Sequence, residues 1–165
     1  MDGDPLELGR RTKKLKDGLR RAGVKATHQR LVIFHEVAKS SDHPDAEKIY
    51  KGVRRSIPTV SLDTVYRTLW LLVDLGLVET LSPPRYKTRF EANLSAHHHF
   101  VCMKCGMTRD FDSDDFNRLK LPDSVKAMGS VDKVQVEAKG LCPKCFKERP
   151  KKKQNIIKRR IRHEK

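Results

Sequence analysis

The segment SLDTVYRTLWLLVDLGLVETL, residues 61–81, predicts a helix that leads directly into a strand. Its first part repeats apolar side chains at helical spacing, at Val65, Leu69, Leu72 and Val73. Ser61 or Asp63 is a suitable N-cap, and Gly76 is a suitable end for this helix. The LVETL that comes next alternates apolar and polar residues, as a half-buried strand does. Helix and strand are therefore expected in immediate succession.

The flanking sequence extends this unit on both sides. Downstream, Ser82-Pro83-Pro84 predicts a turn, and a second strand comes after it in which Tyr86, Thr88 and Phe90 alternate. Upstream, Thr27 predicts the cap of one helix and Asp45 that of another, which ends before Pro58. The expected inward side chains of these two helices are Leu31, Val32, Phe34, Val37, Ala38, Ile49 and Val53. Three helices and a hairpin make a winged helix-turn-helix, which we predict for residues 1–92.

A basic helix is expected in front of this unit. Residues 10–30 contain nine Lys or Arg and one Asp, and Leu15, Leu19 and Ala22 recur at helical spacing within them. In a winged helix-turn-helix, the helix after Ser61 is the recognition helix that enters the major groove. Its candidate DNA-contacting side chains are Thr64, Tyr66, Arg67 and Thr68, to which Arg30 is added. The alternative is that Tyr66 packs and Arg67 is a solvated charge, since some winged domains bind proteins.

Two Cys-x-x-Cys pairs, CMKC at 102–105 and CPKC at 142–145, supply four thiolates. Four cysteines in two such pairs, Cys102, Cys105, Cys142 and Cys145, are the ligand set of a tetrahedral structural Zn²⁺. Between the pairs the pattern predicts strands at 107–111 and 131–136 and a helix near 114–121. Redox cycling is the alternative, but one pair would suffice for it and no thioredoxin-like pattern surrounds either.

Three consecutive histidines, His97, His98 and His99, precede the first cysteine pair. On a strand, His97 and His99 share a face and His98 points away from them. The pair can bind one ion if carboxylates come from elsewhere, and such a mixed site suits iron, manganese or zinc. The alternative is a polar surface.

The overall charge favours a polyanionic partner. The chain of 165 residues has 36 Lys and Arg against 21 Asp and Glu, which gives a net charge of +15. Residues 149–165 alone hold nine Lys or Arg and one Glu, and we expect a disordered tail that binds phosphates without sequence preference. The chain has no long apolar run and no apolar segment behind its first charges, so we expect a cytoplasmic protein with no membrane partner.

In sequence order, the motifs resemble those of the ferric uptake regulator (Fur) family of bacterial metal-dependent repressors: ATHQR at 26–30, HPDAEKIY at 43–50, VSLDTVYRTL at 60–69, GLV at 76–78, RFE at 89–91, HHHFVCMKCG at 97–106 and CPKC at 142–145. The resemblance runs from about residue 15 to 146. It implies an α+β fold in which the winged helix-turn-helix precedes a small α/β dimerisation domain, here 93–148, with the four-cysteine zinc. It also implies a homodimer on a double-stranded, palindromic DNA operator.

The resemblance further implies a regulatory Fe²⁺ or Mn²⁺ at the hinge between the domains. Carried over by motif, its ligands are His43, Glu91, His97, His99 and Asp110. Some members have another site, but Ala96, His98 and Asn117 depart from its pattern, so we do not expect it here. Peroxide sensors typically have Asp at both carboxylate positions and iron-uptake regulators Glu, whereas this chain has one of each.

We therefore expect a repressor rather than an enzyme. The motifs of the DNA-binding half, HPDAEKIY and VSLDTVYRTLWLL, resemble those of peroxide-responsive members and favour Fe²⁺-mediated peroxide sensing. An iron-responsive or other metal-responsive uptake regulator is the alternative. A basic, zinc-containing RNA-binding module is an alternative of another class, although the chain's 6% aromatic residues offer little stacking surface for bases. Catalysis is disfavoured because the five ligands can close the coordination sphere, whereas a catalytic zinc keeps an open position.

Overall fold

The computed structural model describes residues 5–81, 87–131 and 133–148. Four helices come first: α1 Pro5–Arg21, α2 His28–Ala38, α3 Ala46–Val53 and α4 Leu62–Asp74. A hairpin of β1 Glu79–Leu81 and β2 Arg89–Glu91 is next. The rest comprises β3 His98–Cys102, β4 Thr108–Phe111, α5 Asp114–Asn117, α6 Asp123–Lys126, β5 Glu137–Gly140 and α7 Pro143–Lys147. We call residues 5–92 the N-terminal part and 93–148 the C-terminal part.

The predicted N-caps of α2, α3 and α4 are confirmed. The side chain of Thr27 accepts a hydrogen bond from the backbone N–H of Arg30, and that of Asp45 accepts from Lys48 at 2.8 Å. Ser61 caps α4 by accepting from the backbone N–H of Thr64 at 3.1 Å. Each cap satisfies a helix-end donor within three residues of itself, so the helix start is a local property of the sequence.

The helices of the N-terminal part pack around one apolar core. Its fully buried large side chains come from every helix and from β2, and they include Leu15, Leu19, Ile33, Ile49, Val53, Val65, Leu69, Leu72 and Phe90. The prediction for Ala22 was wrong, because α1 ends at Arg21 and Ala22 is exposed beside Gly23, which has φ +68°. Ile33 is buried in α2, where the sequence pattern had suggested Leu31 and Val32, which are only partly buried.

The hairpin has an antiparallel register that pairs Glu79 with Glu91 and Leu81 with Arg89. It begins after Gly76, whose φ of +63° ends α4. The predicted turn at 82–84 and Tyr86 lie outside the described residues, as does the basic tail 149–165. The described strands β1 and β2 agree with the predicted wing.

The C-terminal part is a three-stranded sheet of order β4-β3-β5, with β4 antiparallel and β5 parallel to β3. The strand predicted at 131–136 was wrong, since the strand lies at Glu137–Gly140. Apolar spacing suggested the earlier segment, but a strand forms where its backbone finds a partner, and here β3 pairs with 137–140. The helix predicted near 114–121 is shorter, with one turn at Asp114–Asn117. Within the described ranges, no helix is both long and apolar enough to cross a membrane.

Candidate metal centres

The sheet brings the two cysteine pairs together at one end of the C-terminal part. Cys102 is the last residue of β3, and Cys105 lies in the turn after it. Cys142 is the N-cap of α7 and Cys145 lies within that helix. The parallel pairing of β5 with β3 delivers the second pair to the first, and the backbone N–H of Cys142 donates to Cys102 Sγ at 3.3 Å.

The four sulfur atoms have the spacing that a zinc ion requires. All four lie within 4.8 Å of one another, and Cys105 Sγ and Cys142 Sγ are 3.8 Å apart. Sulfurs about 2.3 Å from a tetrahedral zinc are about 3.8 Å from one another. None of the four is in a disulfide, and three of them are buried. The cluster therefore fits a structural zinc, which would join the end of β3 to α7.

The four thiols differ in how readily they ionise. Burial opposes ionisation of Cys102, but backbone N–H donors from Cys142, Cys105 and Lys104 lower its pKa to about 6. Burial and the neighbouring thiols raise the pKa of Cys145. Ionisation is thus favoured at Cys102 and opposed at Cys145, and a divalent cation beside the sulfurs would favour the thiolate form.

The second cluster is assembled from both parts of the chain. His43 lies in the loop after α2 and Glu91 ends β2 in the N-terminal part. His97 precedes β3, His99 lies within it, and Asp110 faces His99 directly across the β3–β4 pairing. One donor atom from each of the five lies within 4.8 Å of the others. The structure thus gathers all five side chains that the sequence resemblance named.

The three imidazoles present the same nitrogen, Nε2, to the two carboxylates. His43 Nε2 lies 2.9 Å from Asp110 Oδ1 and 3.2 Å from Glu91 Oε1. His97 Nε2 is 3.1 Å from Glu91 Oε1, and His99 Nε2 is 3.2 Å from Glu91 Oε2. His97 Nε2 and His99 Nε2 are themselves 3.0 Å apart. Three Nε2 atoms that converge on two carboxylates form a typical cation-binding arrangement.

Burial makes this cluster electrostatically demanding. The three histidines and Glu91 are 2–5% exposed, and only Asp110 reaches solvent. Burial favours neutral His43, but the hydrogen bonds to Asp110 and Glu91 prevail and raise its pKa to about 9. Burial likewise opposes the charge of Glu91, yet hydrogen bonds from His43 and His99 lower its pKa to about 2. Two acidic groups at the point where three imidazoles converge favour a positive charge there, which a proton or a metal ion can supply.

Outer contacts orient the histidine rings. His97 Nδ1 lies 2.7 Å from the backbone oxygen of Ser95, which can only accept a hydrogen bond. This contact leaves Nε2 as the ring nitrogen that can bind a metal ion. His99 Nδ1 lies 3.0 Å from the side-chain amide of Gln135. His43 adopts φ +49°, an uncommon conformation for a residue other than glycine, and Arg89 donates to its backbone oxygen at 2.9 Å. Sequence reasoning missed both Gln135 and the role of Arg89, and only the RFE motif contained a signal for the latter.

His98 lies on the opposite face of β3, as predicted. Its ring packs against Phe111 and Phe116, and its Nδ1 accepts a hydrogen bond from the backbone N–H of Val136 at 3.3 Å. Its Nε2 is buried with no hydrogen-bond partner among the described residues. With all three histidines at most 3% exposed, the alternative of a polar surface run is wrong.

The candidate DNA-contacting side chains of α4 divide between its two faces. Arg67 is exposed at 82% of its side chain and pairs with Asp63 at 2.9 Å, and Tyr66 is 38% exposed. Thr68 is only 6% exposed, so its assignment to the DNA-facing surface was wrong. It shares the inward face with Val65, Leu69 and Leu72, because residues three and four apart lie on one side of a helix.

The remaining candidates are tied to their own helix ends. Thr64 Oγ1 is 2.9 Å from the hydroxyl of Ser61, and Arg30 donates to the backbone oxygen of Lys25 at 2.6 Å. Trp70 is 46% exposed one turn after Tyr66 and contacts Phe90 edge to face. The exposed face of α4 thus presents an Arg and two aromatic side chains.

Comparison with known proteins gives three consistent results. The model of the family described as "Ferric uptake regulator family" matches residues 21–138. The peroxide-responsive repressor PerR of Staphylococcus epidermidis is 32% identical over 130 residues, which are 79% of this chain and 87% of the repressor. The peroxide stress regulator of Campylobacter jejuni has a solved structure that aligns with a TM-score of 0.63 at 28% identity, covering 81% of this chain and 97% of that one.

The Helicobacter pylori ferric uptake regulator Fur aligns with a TM-score of 0.70 at 22% identity, over 84% of this chain and 93% of that one. At that level of identity the likeness concerns the fold alone. It covers the winged helix-turn-helix and the small sheet together, because most of the described chain is aligned.

Proposed function

Because this chain belongs to the ferric uptake regulator family and is a metal-responsive transcriptional repressor, we propose that a divalent ion held by His43, Glu91, His97, His99 and Asp110 switches its operator binding. The observation that carries the proposal is that this buried cluster draws ligands from both parts of the chain. An ion with all five ligands selects one arrangement of the two parts. Conformations that separate them bind the ion more weakly, so the ion shifts the population towards the assembled one.

The proposed DNA-binding surface is the exposed face of α4. Arg67 offers bidentate hydrogen bonds to a guanine edge or a charge for a phosphate, and Tyr66 offers an apolar surface to a thymine methyl or a sugar. Thr64 and Arg30 stand at helix starts, where they can contact the phosphate backbone. A homodimer places two such helices on one duplex, so we expect a palindromic operator. The proposed location of the protein is the cytoplasm.

Peroxide sensing is the effector response that we propose. The similarity to a peroxide-responsive repressor at 32% identity and to a peroxide stress regulator at 28% supports it. Fe²⁺ held by these ligands would mediate the two-electron oxidation of a ligating histidine ring by hydrogen peroxide, in which one peroxide oxygen is added to the ring and the other leaves as water. Ser95 and Gln135 hold the rings of His97 and His99 beside the proposed ion position. Because these two rings are adjacent to the ion, we expect the oxidation to occur on them.

One observation favours an iron-responsive regulator as the second candidate. Glu91 has a longer side chain than the Asp that is typical of peroxide sensors, and each of its oxygens contacts a histidine, His43 at 3.2 Å and His99 at 3.2 Å. A carboxylate used on both oxygens leaves less room at the ion for peroxide. The two candidates share the same site and differ only in the chemistry of the bound ion.

The experiment that tests the proposal measures operator binding against the concentration of Fe²⁺ or Mn²⁺ without oxygen. Wild-type protein should bind a promoter duplex only with the ion present, and structured RNA should not compete at physiological salt. A pulse of stoichiometric peroxide and subsequent mass spectrometry separate the two effectors. Oxygen gained on peptides containing His43, His97 or His99 with Fe²⁺, but not with Mn²⁺, supports peroxide sensing. Unchanged peptides with retained DNA binding support the iron-responsive candidate.

A further inference from the structure

The segment directly before β5 runs along the histidines of the proposed regulatory site. We call this segment, residues 133–136, the strap. The side-chain amide of Gln135 donates to the backbone oxygen of His97 at 3.2 Å and lies 3.0 Å from Nδ1 of His99. One amide therefore touches both histidines that present Nε2 to Glu91 from the C-terminal part.

The backbone of the strap reinforces this contact. The N–H of His99 donates to the oxygen of Val136 at 3.1 Å, and the N–H of Val136 donates to His98 Nδ1 at 3.3 Å. The strap thus bonds to each member of the histidine triplet. Because the strap holds both the backbone and the ring of His99, a shift of the strap moves that ring.

The other end of the strap reaches the N-terminal part. Lys133 forms an ion pair with Glu79 of β1 at 2.5 Å, and both side chains are about one-third exposed. Glu79 is the strand partner of Glu91, whose carboxylate lies in the five-residue cluster. A closed path of contacts therefore runs from the cluster through Glu91, Glu79 and Lys133 to Gln135, and from there to His99.

We propose that the strap couples the regulatory metal site to the wing, with Gln135 as a positioning residue for His97 and His99 and with Lys133 tying the same segment to Glu79. The inference rests on the proposed function of the cluster. Outer contacts of this kind fix the orientation and tautomer of a ligating histidine. The amide nitrogen of Gln135 donates to the oxygen of His97 and faces Nδ1 of His99, and a 180° turn of the amide presents its oxygen to Nδ1 instead, so that either orientation can hold the ring.

The ion pair adds a second connection between the two parts, independent of the cluster. Lys133 and Glu79 attract one another whether or not an ion is bound, so they favour the assembled arrangement in advance. Less of the ion's binding energy is then spent on bringing the parts together. Loss of the ion pair should raise the ion concentration that DNA binding requires, without altering the ligands themselves.

The Gln135 contact is tested by measuring Mn²⁺ affinity in the zinc-containing full chain. Gln135→Leu keeps the approximate shape but removes the hydrogen bonds, and it should weaken Mn²⁺ binding about 10- to 100-fold. Gln135→Glu should bind at least as tightly as wild type, because a carboxylate accepts the Nδ1 proton of His99. A Leu variant within about twofold of wild type, or a Glu variant as weak as the Leu variant, would overturn the role of Gln135.

The ion pair is tested by charge exchange. Lys133→Glu and Glu79→Lys should each raise the Mn²⁺ concentration for half-maximal operator binding about two- to fivefold, and the double variant should restore it. Scattering from the metal-free protein should show a larger radius of gyration for each single variant. Lys139→Glu is the matched control, since Lys139 pairs with Glu137 within β5 at 2.8 Å.

Three results would overturn the coupling: a double variant as impaired as the single ones, single variants equal to wild type, or a Lys139→Glu effect of the same size. The wild-type chain separates this inference from the proposed function. If Mn²⁺ fails to activate its DNA binding, or His97→Ala leaves that activation intact, the proposed function fails. If both behave as expected and the strap variants do not, only the coupling fails.

Discussion

The two candidate metal-binding clusters differ in how the chain assembles them. The cysteine cluster consists of two local pairs, both in the C-terminal part, joined by one pairing of β5 with β3. The histidine and carboxylate cluster draws on positions spread from His43 to Asp110 and on both parts of the chain. The first cluster closes a small unit on itself, whereas the second joins two units.

This difference predicts different consequences of metal binding. A zinc held by the four cysteines of one unit would join β3 to α7, so its binding energy would be folding energy for that unit. Ligands shared between two folded units contribute little to the folding of either, because each has its own core or sheet. Binding energy there selects an arrangement, which is the requirement for a switch.

Removal of one zinc ligand should have the largest effect. Cys102→Ser should lose the zinc together with cooperative unfolding of the C-terminal part, since zinc sites of this kind contribute about 10–16 kcal/mol. Metal analysis and thermal unfolding monitored by circular dichroism measure both losses. Met103→Ser, at an exposed position between the same two cysteines, is the control and should keep the zinc. A zinc-free Cys102→Ser protein that still unfolds cooperatively would remove the contrast between the clusters.

Removal of one ligand of the second cluster should abolish the switch and spare the fold. His97→Ala or Asp110→Ala should lower Mn²⁺ affinity by at least about 100-fold, with no metal-activated operator binding, while one zinc per chain remains. Calorimetric titration and metal analysis give the two quantities. His28→Ala removes an exposed histidine at the start of α2 and should change neither. Loss of zinc in His97→Ala would show that the clusters are not independent.

The pH dependence should have opposite signs with and without the ion. The folded protein raises the pKa of His43 to about 9, so the protonated imidazole stabilises the fold. This stabilisation is complete below about pH 6.5 and is lost as the pH rises through 9. The folded protein lowers the pKa of Glu91 to about 2, so its carboxylate stabilises the fold above about pH 4.5. This stabilisation is lost as the pH falls towards 2. Metal-free protein should therefore lose free energy of unfolding between pH 6.5 and 9.

The affinity for the ion should instead increase with pH, because the ion replaces the proton on His43. Mn²⁺ affinity should rise about tenfold per pH unit below pH 9, and the heat of binding should vary with the buffer as one proton is released. Urea unfolding of the metal-free protein and calorimetry of the Mn²⁺ complex measure the two slopes. A Mn²⁺ affinity that is constant from pH 6.5 to 8.5 would contradict the proposed competition.

The smallest effect is expected at α4, which contains no ligand of either cluster. Arg67→Ala should weaken operator binding by about 1–3 kcal/mol and leave both metals bound. Arg118→Ala is the matched control, because Arg118 is equally exposed and pairs with Asp114 at the same helical spacing. Gel shifts on operator and random duplexes should show a loss confined to the operator. An equal loss on both duplexes would make Arg67 a phosphate anchor.

Removal of residues 150–165 offers the complementary test on the same duplexes. These residues lie outside the described structure, and their charge alone predicts a uniform loss of affinity on operator and random DNA with a flatter salt dependence. Base recognition by α4 would be contradicted if removal of residues 150–165 abolished the preference for operator over random DNA while Arg67→Ala left operator affinity unchanged.

Local features of the fold could be predicted from the sequence alone. Thr27, Asp45 and Ser61 were identified as helix caps because a cap and the donor it satisfies lie within three residues. Each Cys-x-x-Cys pair is likewise complete within four residues, so its metal-binding capacity is visible in one line of sequence. The five proposed ligands of the second cluster required the family resemblance, since no local spacing connects His43 or Asp110 to the histidine triplet.

Other features were decided only by the tertiary structure. The strand before the second cysteine pair lies at 137–140 because β3 offers its free edge there, and apolar spacing could not reveal that partner. Thr68 is buried because the rotation of α4 against its core determines which side chains face inward. Gln135 and Lys133 gained their contacts through the same strand pairing, which brings residues far apart in sequence to the metal site and the wing. Sequence determines what a few neighbouring residues can do, whereas long-range contacts depend on the summed packing of the whole chain.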